Sequence, residues 1–193
     1  MEMVESRIDD GRPARRWTRE EYDRMAEVGI LGPEDNVELI EGEILVMSAE
    51  GPLHVAEIGA AAEALRPAFG ASYWIRLGNP FAVDDRSEPE PDLLVVPGSP
   101  HDYRARHPSP DEAALVVEVS HSSLSFDLGR KLRLYARARV PEYWVIDILH
   151  ECIHVYRDAA GEGFSTSTRH ERGSTIKPLR AGGPAVDVSS ILG

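Results

Sequence analysis

Two strand-length apolar runs that each carry a carboxylate, followed by a helical pattern that carries a lysine, constrain this chain more than any other feature. Pro91 introduces the first run, Asp92-Leu93-Leu94-Val95-Val96, and the second is Leu115-Val116-Val117-Glu118-Val119-Ser120. Lys131 and Tyr135 lie on the segment that follows. Runs of Val and Leu this long read as strands covered on both faces. A carboxylate inside such a run is costly to bury unless something positive compensates it, and a divalent metal shared by Asp92 and Glu118 would do so.

The rest of the chain supplies a scaffold for that pair. Residues 1–16 read as a flexible lead with a small basic cluster, Arg12, Arg15 and Arg16, and residues 17–193 as a single domain with a full core. Thr18 followed three residues later by Glu21 is a capping box and predicts a helix ending near Gly29. Val37 to Ile40 and Glu43 to Met47 flank Glu41-Gly42, which predicts a β-hairpin. From Pro52 to Phe69 the period becomes helical, with His54, Ile58, Ala61 and Leu65 on one stripe. His54 opens that stripe, as a packing histidine or as a ring at the edge of a site. Tyr73 to Leu77 and Pro80 to Val83 read as extended, and Glu88-Pro89-Glu90-Pro91 forces an extended approach that delivers Asp92 at the start of its strand. The Pro-rich connection from Pro97 to Glu112 is long enough for a rim or lid. Glu142 to Asp147 gives a further strand, and short strands at 152–156, 164–170, 175–177 and 185–188 give an antiparallel extension.

The helix from about Phe126 to Arg139 is the dense basic segment of the chain, with Arg130, Lys131, Arg133, Arg137 and Arg139 and no acidic residue between Arg130 and Arg139. At about 100° per residue, Arg130, Arg133 and Arg137 form a stripe suited to a polyanion, opposite Leu128, Leu132 and Ala136. Lys131 lies at the boundary, with Tyr135 between it and the core. The bland alternative is a solvated face with an ordinary Asp127 to Lys131 pair.

Charge limits the function. With 21 Lys plus Arg against 33 Asp plus Glu the net charge is −12, so attraction to a phosphate backbone must come from a local patch. No apolar stretch has the length of a transmembrane helix, the first residues lack a signal-peptide core, and one cysteine, Cys152, forbids an intrachain disulfide. A cytoplasmic protein is expected. His150, Cys152 and His154 alternate and invite a zinc reading, but no fourth ligand is evident. Ser120-His121-Ser122-Ser123 lacks a nucleophile elbow, and no phosphate-binding loop or dinucleotide fingerprint is present.

Taken in order, Glu38-Leu39-Ile40-Glu41-Gly42-Glu43, His54, Glu90-Pro91-Asp92, Val117-Glu118-Val119-Ser120, Ser123, Asp127, Lys131, Tyr135-Ala136 and Val140 to Asp147 resemble the Uma-two family, labelled a putative restriction endonuclease, within the PD-(D/E)XK nuclease superfamily. The resemblance covers nearly the whole chain. It implies a restriction-endonuclease-like α/β fold, a mixed β-sheet flanked by helices, with Asp92 and Glu118 as metal-binding acids and Lys131 as the catalytic lysine. The third place of the (D/E)XK triplet is Ser120, so the resemblance implies a lysine migrated to the helix. Glu57 on the first core helix and Glu38 on the hairpin compete as a further acid, and Glu38 matches the family pattern. His54 and Tyr135 are supporting candidates, and Arg130, Arg133 and Arg137 are candidate nucleic-acid contacts. The implied activity is hydrolysis of DNA phosphodiesters with Mg²⁺ or Mn²⁺, and a homodimer suits cutting two strands. The alternative is a catalytically silent binding or regulatory module that keeps the fold.

Overall fold

The computed structural model describes residues 14–32, 34–49 and 51–193. Most of the expected lead, including Arg12, lies outside these residues. The remaining two arginines of that cluster are engaged, because Arg15 pairs with Glu21 and lies over the Trp17 ring, and Arg16 pairs with Glu43.

Helix α1 (Arg19–Glu27) begins where the capping box places it: Glu21 N–H donates to Thr18 Oγ1 at 3.2 Å and Thr18 N–H to Glu21 Oε2 at 3.0 Å. Strands β1 (Val37–Ile40) and β2 (Glu43–Val46) pair antiparallel across Glu41 and Gly42. Both turn residues have positive φ, 52° and 80°, which matches the twist of a two-residue hairpin and favours glycine. A Cβ on Gly42 would also come within 2.7 Å of Arg16 Cβ.

Helix α2 (Pro52–Phe69) buries Ala61, Ala62, Leu65, Ala68 and Phe69 on one face of a six-stranded sheet. The sheet runs β3 (Tyr73–Leu77), β4 (Leu93–Pro97), β5 (Leu115–Ser120), β6 (Glu142–Asp147), β7 (Cys152–Ala160) and β8 (Gly163–Glu171), with spatial order equal to chain order. Every neighbouring pair is antiparallel except β5 and β6. That parallel pair needs a crossover, supplied by α3 (Leu124–Phe126), a π-helical turn (Asp127–Lys131) and α4 (Leu132–Arg137). A small sheet of β9 (Thr175–Ile176) and β10 (Val186–Asp187), with α5 (Ser189–Leu192), joins α2 on the first face. The second face packs against α4 and the hairpin through Ile40, Phe81, Leu134, Tyr135 and Val140. All of β5 and β6 is buried, as continuous apolar runs require.

Three expectations change. Residues 80–83 form no strand; they turn back on the following loop through Phe81 N–H to Pro89 O and Val83 N–H to Ser87 O. The connection after β4 leaves from the end of the strand opposite Asp92 and bonds Ala82 through Pro108, so it is no lid over the acids. The basic helix is not uniformly wound. The wider π turn carries Asp127 and Lys131 inward, while Leu128 and Leu132 stay half-buried against the core as the periodicity expects.

Gly42→Ala is expected to lower the urea unfolding midpoint, by about 1 to 3 kcal/mol of stability, because a side chain meets both an unfavourable φ and Arg16.

Candidate active site

The acids meet where β4 begins and β5 ends. Asp92 immediately precedes β4, and its Oδ2 accepts the backbone N–H of Val119 at 2.6 Å, which fixes it one residue beyond Glu118. Its Oδ1 lies 3.1 Å from His54 Nε2, on the first turn of α2. The inward stripe of α2 thus begins with a ring aimed at the predicted metal-binding acid.

Glu118 points to the other face, toward the crossover helix. Lys131 Nζ lies 3.1 Å from Glu118 Oε1 and 3.2 Å from Glu38 Oε2. Tyr135 Oη donates to the same Glu118 oxygen at 2.8 Å. Glu38 reaches the cluster from β1 and accepts the backbone N–H of Glu90 at 3.2 Å. Glu38 is therefore the further acid that meets Lys131. Glu57 is half-buried, and its charged neighbour is Arg172.

Sequence reasoning gave no role to Asp127, yet its Oδ2 accepts from both Ser120 Oγ and Ser123 Oγ at 2.6 Å, while Tyr143 Oη donates to its backbone carbonyl. Its signal was the i,i+4 spacing to Lys131, read as a solvated pair. The Ser120 and Ser123 hydroxyls thus hold this carboxylate.

Five carboxylates, Glu38, Glu90, Asp92, Glu118 and Asp127, thus share one ammonium and one imidazole. Burial holds the Glu118 carboxyl well above the usual carboxylate range; Lys131 pulls the other way, and Asp92, Asp127 and Glu38 push it further up. Burial also raises Asp127, against Lys131 and the two serines, and raises Glu90, with Glu38 adding to it. Burial on its own disfavours the Lys131 ammonium, but Glu118, Glu38 and Asp127 together outweigh it and raise its pKa. Tyr135 is held protonated by burial and by Glu118.

The cluster is closed on the lysine side and open on the aspartate side. The Lys131 and Glu118 side chains are 7% and 4% exposed, those of His54 and Asp92 18% and 15%. The arginine stripe lies elsewhere. Arg130 pairs with Glu41 at 2.8 Å and Glu43 at 2.6 Å, and Arg137 pairs with Glu41 and Glu162. Arg133 is exposed. Two of the three candidate nucleic-acid contacts are thus bound to the acidic hairpin turn.

The model of the family described as "Putative restriction endonuclease", Uma2, matches residues 19–186. The chain belongs to the Uma2 family. A solved structure from Anabaena variabilis ATCC 29413, described as a "putative nuclease belonging to DUF820", superposes with a TM-score of 0.68 at 14% identity, over 86% of this chain and 94% of that one. At that identity the likeness concerns the fold, a nuclease-like mixed sheet flanked by helices. No curated protein matches the chain. In this Uma2 chain, no helix among the described residues is long and apolar enough to cross a membrane.

Lys131→Met is expected to cost about 3 to 5 kcal/mol, because it leaves Glu118 and Glu38 buried without their cation. Urea unfolding measures the loss, and adding Glu118→Gln restores part of it. A second expectation concerns Glu88, next to this cluster on the Leu39 side. Burial, joined by Asp23 and opposed by Arg19, pushes its carboxyl from 4.5 up to about 7. The folded chain therefore holds a proton in that window that the unfolded chain has lost. Stability contributed below pH 4.5 is lost as pH rises through about 7. Unfolding at pH 5 and pH 8 is expected to show Glu88→Gln more stable than the parent only at the higher pH, by about 3 kcal/mol.

Proposed function

We propose that this Uma2 protein is a metal-dependent endodeoxyribonuclease whose reacting groups are Asp92, Glu118 and Lys131. The observation that supports the reading is the convergence of two strand-borne acids and a helix-borne lysine in a cluster whose carboxylates outnumber its cations. Such a donor set is all oxygen and short of positive charge, which fits Mg²⁺ or Mn²⁺. Asp92 and Glu118 would hold the ion, which when bound supplies an acidified water and offsets charge on the phosphate.

The chain's own residues divide the remaining work. His54 and the Val119 N–H fix the orientation of Asp92, and Tyr135 and Lys131 that of Glu118. Burial raises the Glu118 carboxyl well above the usual range and Lys131 opposes it, so a cation bound there would favour its carboxylate form. Lys131 stays charged between Glu38 and Glu118, positioned to stabilise negative charge developing on a phosphate. Glu38 is a positioning residue that holds the ammonium from its far side. A DNA strand approaches over the Asp92 and His54 edge, with exposed Arg133 as the available member of the arginine stripe. Homodimerisation, which brings two such sites to the two strands, and cytoplasmic residence, consistent with one reduced cysteine, belong to the same proposal.

A second reading is a silent module of the same fold. The pairing of Arg130 and Arg137 with the hairpin turn favours it, since it removes cationic charge from the face that a polyanion would meet. Incubation of the protein with supercoiled DNA, single-stranded DNA and RNA in Mg²⁺, Mn²⁺ or EDTA separates the two. The expected result is metal-dependent DNA cleavage that falls by at least about 10²-fold in Lys131→Met and is lost in Asp92→Asn and Glu118→Gln, with those two variants still folded. Absence of cleavage, together with no Mg²⁺ or Mn²⁺ shift in melting temperature that depends on Asp92, would establish the silent module.

A further inference from the structure

Three donor atoms of different chemistry converge at the turn end of the β6 and β7 hairpin, one strand over from Ser120 and distinct from the acids assigned above. Asp147 closes β6 and Cys152 opens β7, and the two are cross-strand partners. His154 is two residues beyond Cys152, so its side chain leaves the same face of the sheet. His150 lies in the connecting turn and not on the strand, so the alternation read from the sequence holds for Cys152 and His154 and ends there. The ligand missing from the sequence pattern is Asp147, brought in by strand pairing.

The geometry points to a second metal site, and we propose that Asp147, Cys152 and His154 bind zinc. Their ligand atoms lie within 4.8 Å of one another. Cys152 Sγ is 3.5 Å from His154 Nε2, and His154 Nε2 is 3.6 Å from Asp147 Oδ2. The second separation is too long for a hydrogen bond. Tetrahedral zinc with bonds of about 2.0 to 2.3 Å places its ligands roughly 3.3 to 3.8 Å apart, so both separations suit one ion held between them.

Charge and burial agree with that assignment. The Asp147 side chain is 3% exposed, and its ion-pair partners among the described residues are the histidines His150 and His154. Cys152 is fully buried. A buried carboxylate with no lysine or arginine partner lacks a permanent counter-charge, and a divalent cation with a thiolate beside it would supply one. Sulfur and imidazole donors select zinc over magnesium, in contrast to the all-oxygen set at Asp92 and Glu118. His150 holds both oxygens of the carboxylate, with its backbone N–H 3.0 Å from Asp147 Oδ1 and its Nδ1 2.8 Å from Oδ2. It acts as an outer-sphere positioning residue. Three protein ligands leave one coordination position for water.

Without metal, burial pushes the Cys152 thiol up and the Arg169 guanidinium beside it partly opposes this. Binding therefore forms the sulfur–metal bond as the thiol proton leaves to solvent. Because Cys152 is the sole cysteine of the chain, a metal–thiolate signal identifies it without further assignment.

The test is titration of the EDTA-stripped full chain with Co²⁺, followed by displacement with Zn²⁺. The expected result is a thiolate-to-cobalt charge-transfer absorption that saturates at one ion per chain, is removed by Zn²⁺, and is absent in Cys152→Ser. His154→Ala is expected to weaken Zn²⁺ binding at least about tenfold, and His150→Ala to weaken it less. The band should persist in Asp92→Asn and in Glu118→Gln, so loss of nuclease activity and loss of this site are read separately. A folded parent protein with no charge-transfer band would overturn the proposal, as would a Zn²⁺ affinity unchanged in both Cys152→Ser and folded His154→Ala.

Discussion

The structure depends on one buried ammonium. Lys131 lies between Glu38 from the hairpin and Glu118 from the central strand, so a single cation fastens β1 and the crossover helix to β5. A buried ion pair is weak as a source of net stability, since desolvation offsets much of the attraction, but removing one partner is severe. Its value here is geometric. It fixes which face of the crossover turns inward, and the π-helical turn is the local distortion that lets Asp127 and Lys131 enter together while Leu134 and Tyr135 still reach the core.

The same arrangement accounts for the hairpin. Isolated two-stranded hairpins are marginal in water, and β1–β2 is a separate sheet with no edge on the main one. It is retained by the apolar contact of Ile40, by Lys131 below, and by Arg130 and Arg137 gripping Glu41 and Glu43 at its turn. The basic stripe thus has a structural employment, and the strongly negative chain spends part of its scarce positive charge on holding its own acidic loop.

Local patterns made much of this legible. The capping box at Thr18, the glycine turn at Gly42, the amphipathic stripe of α2 and the buried runs of β4, β5 and β6 each follow from short-range chemistry. The convergence of Asp92, Glu118 and Lys131 was legible through the order of those elements. Three things were not. A helical wheel assumes uniform winding and so left Lys131 at the boundary, where the π turn buries it. The hairpin-turn partners of Arg130 and Arg137 lie about ninety residues earlier in the chain, beyond the reach of any periodicity. Asp147 joins Cys152 and His154 through strand pairing alone, a relation that sequence spacing does not encode.

The site residues enter the fold from segments running from residue 38 to residue 131, and this affects the order of assembly. During synthesis the chain exposes Glu38, Asp92 and Glu118 before the lysine that compensates them has been made. Contacts so distant in sequence form late, after loop closure has been achieved. Until then the acids repel one another and remain accessible to water, so a half-made or truncated chain holds the carboxylates without the packed pocket that gives them altered acidity. Competence arrives together with the completed core.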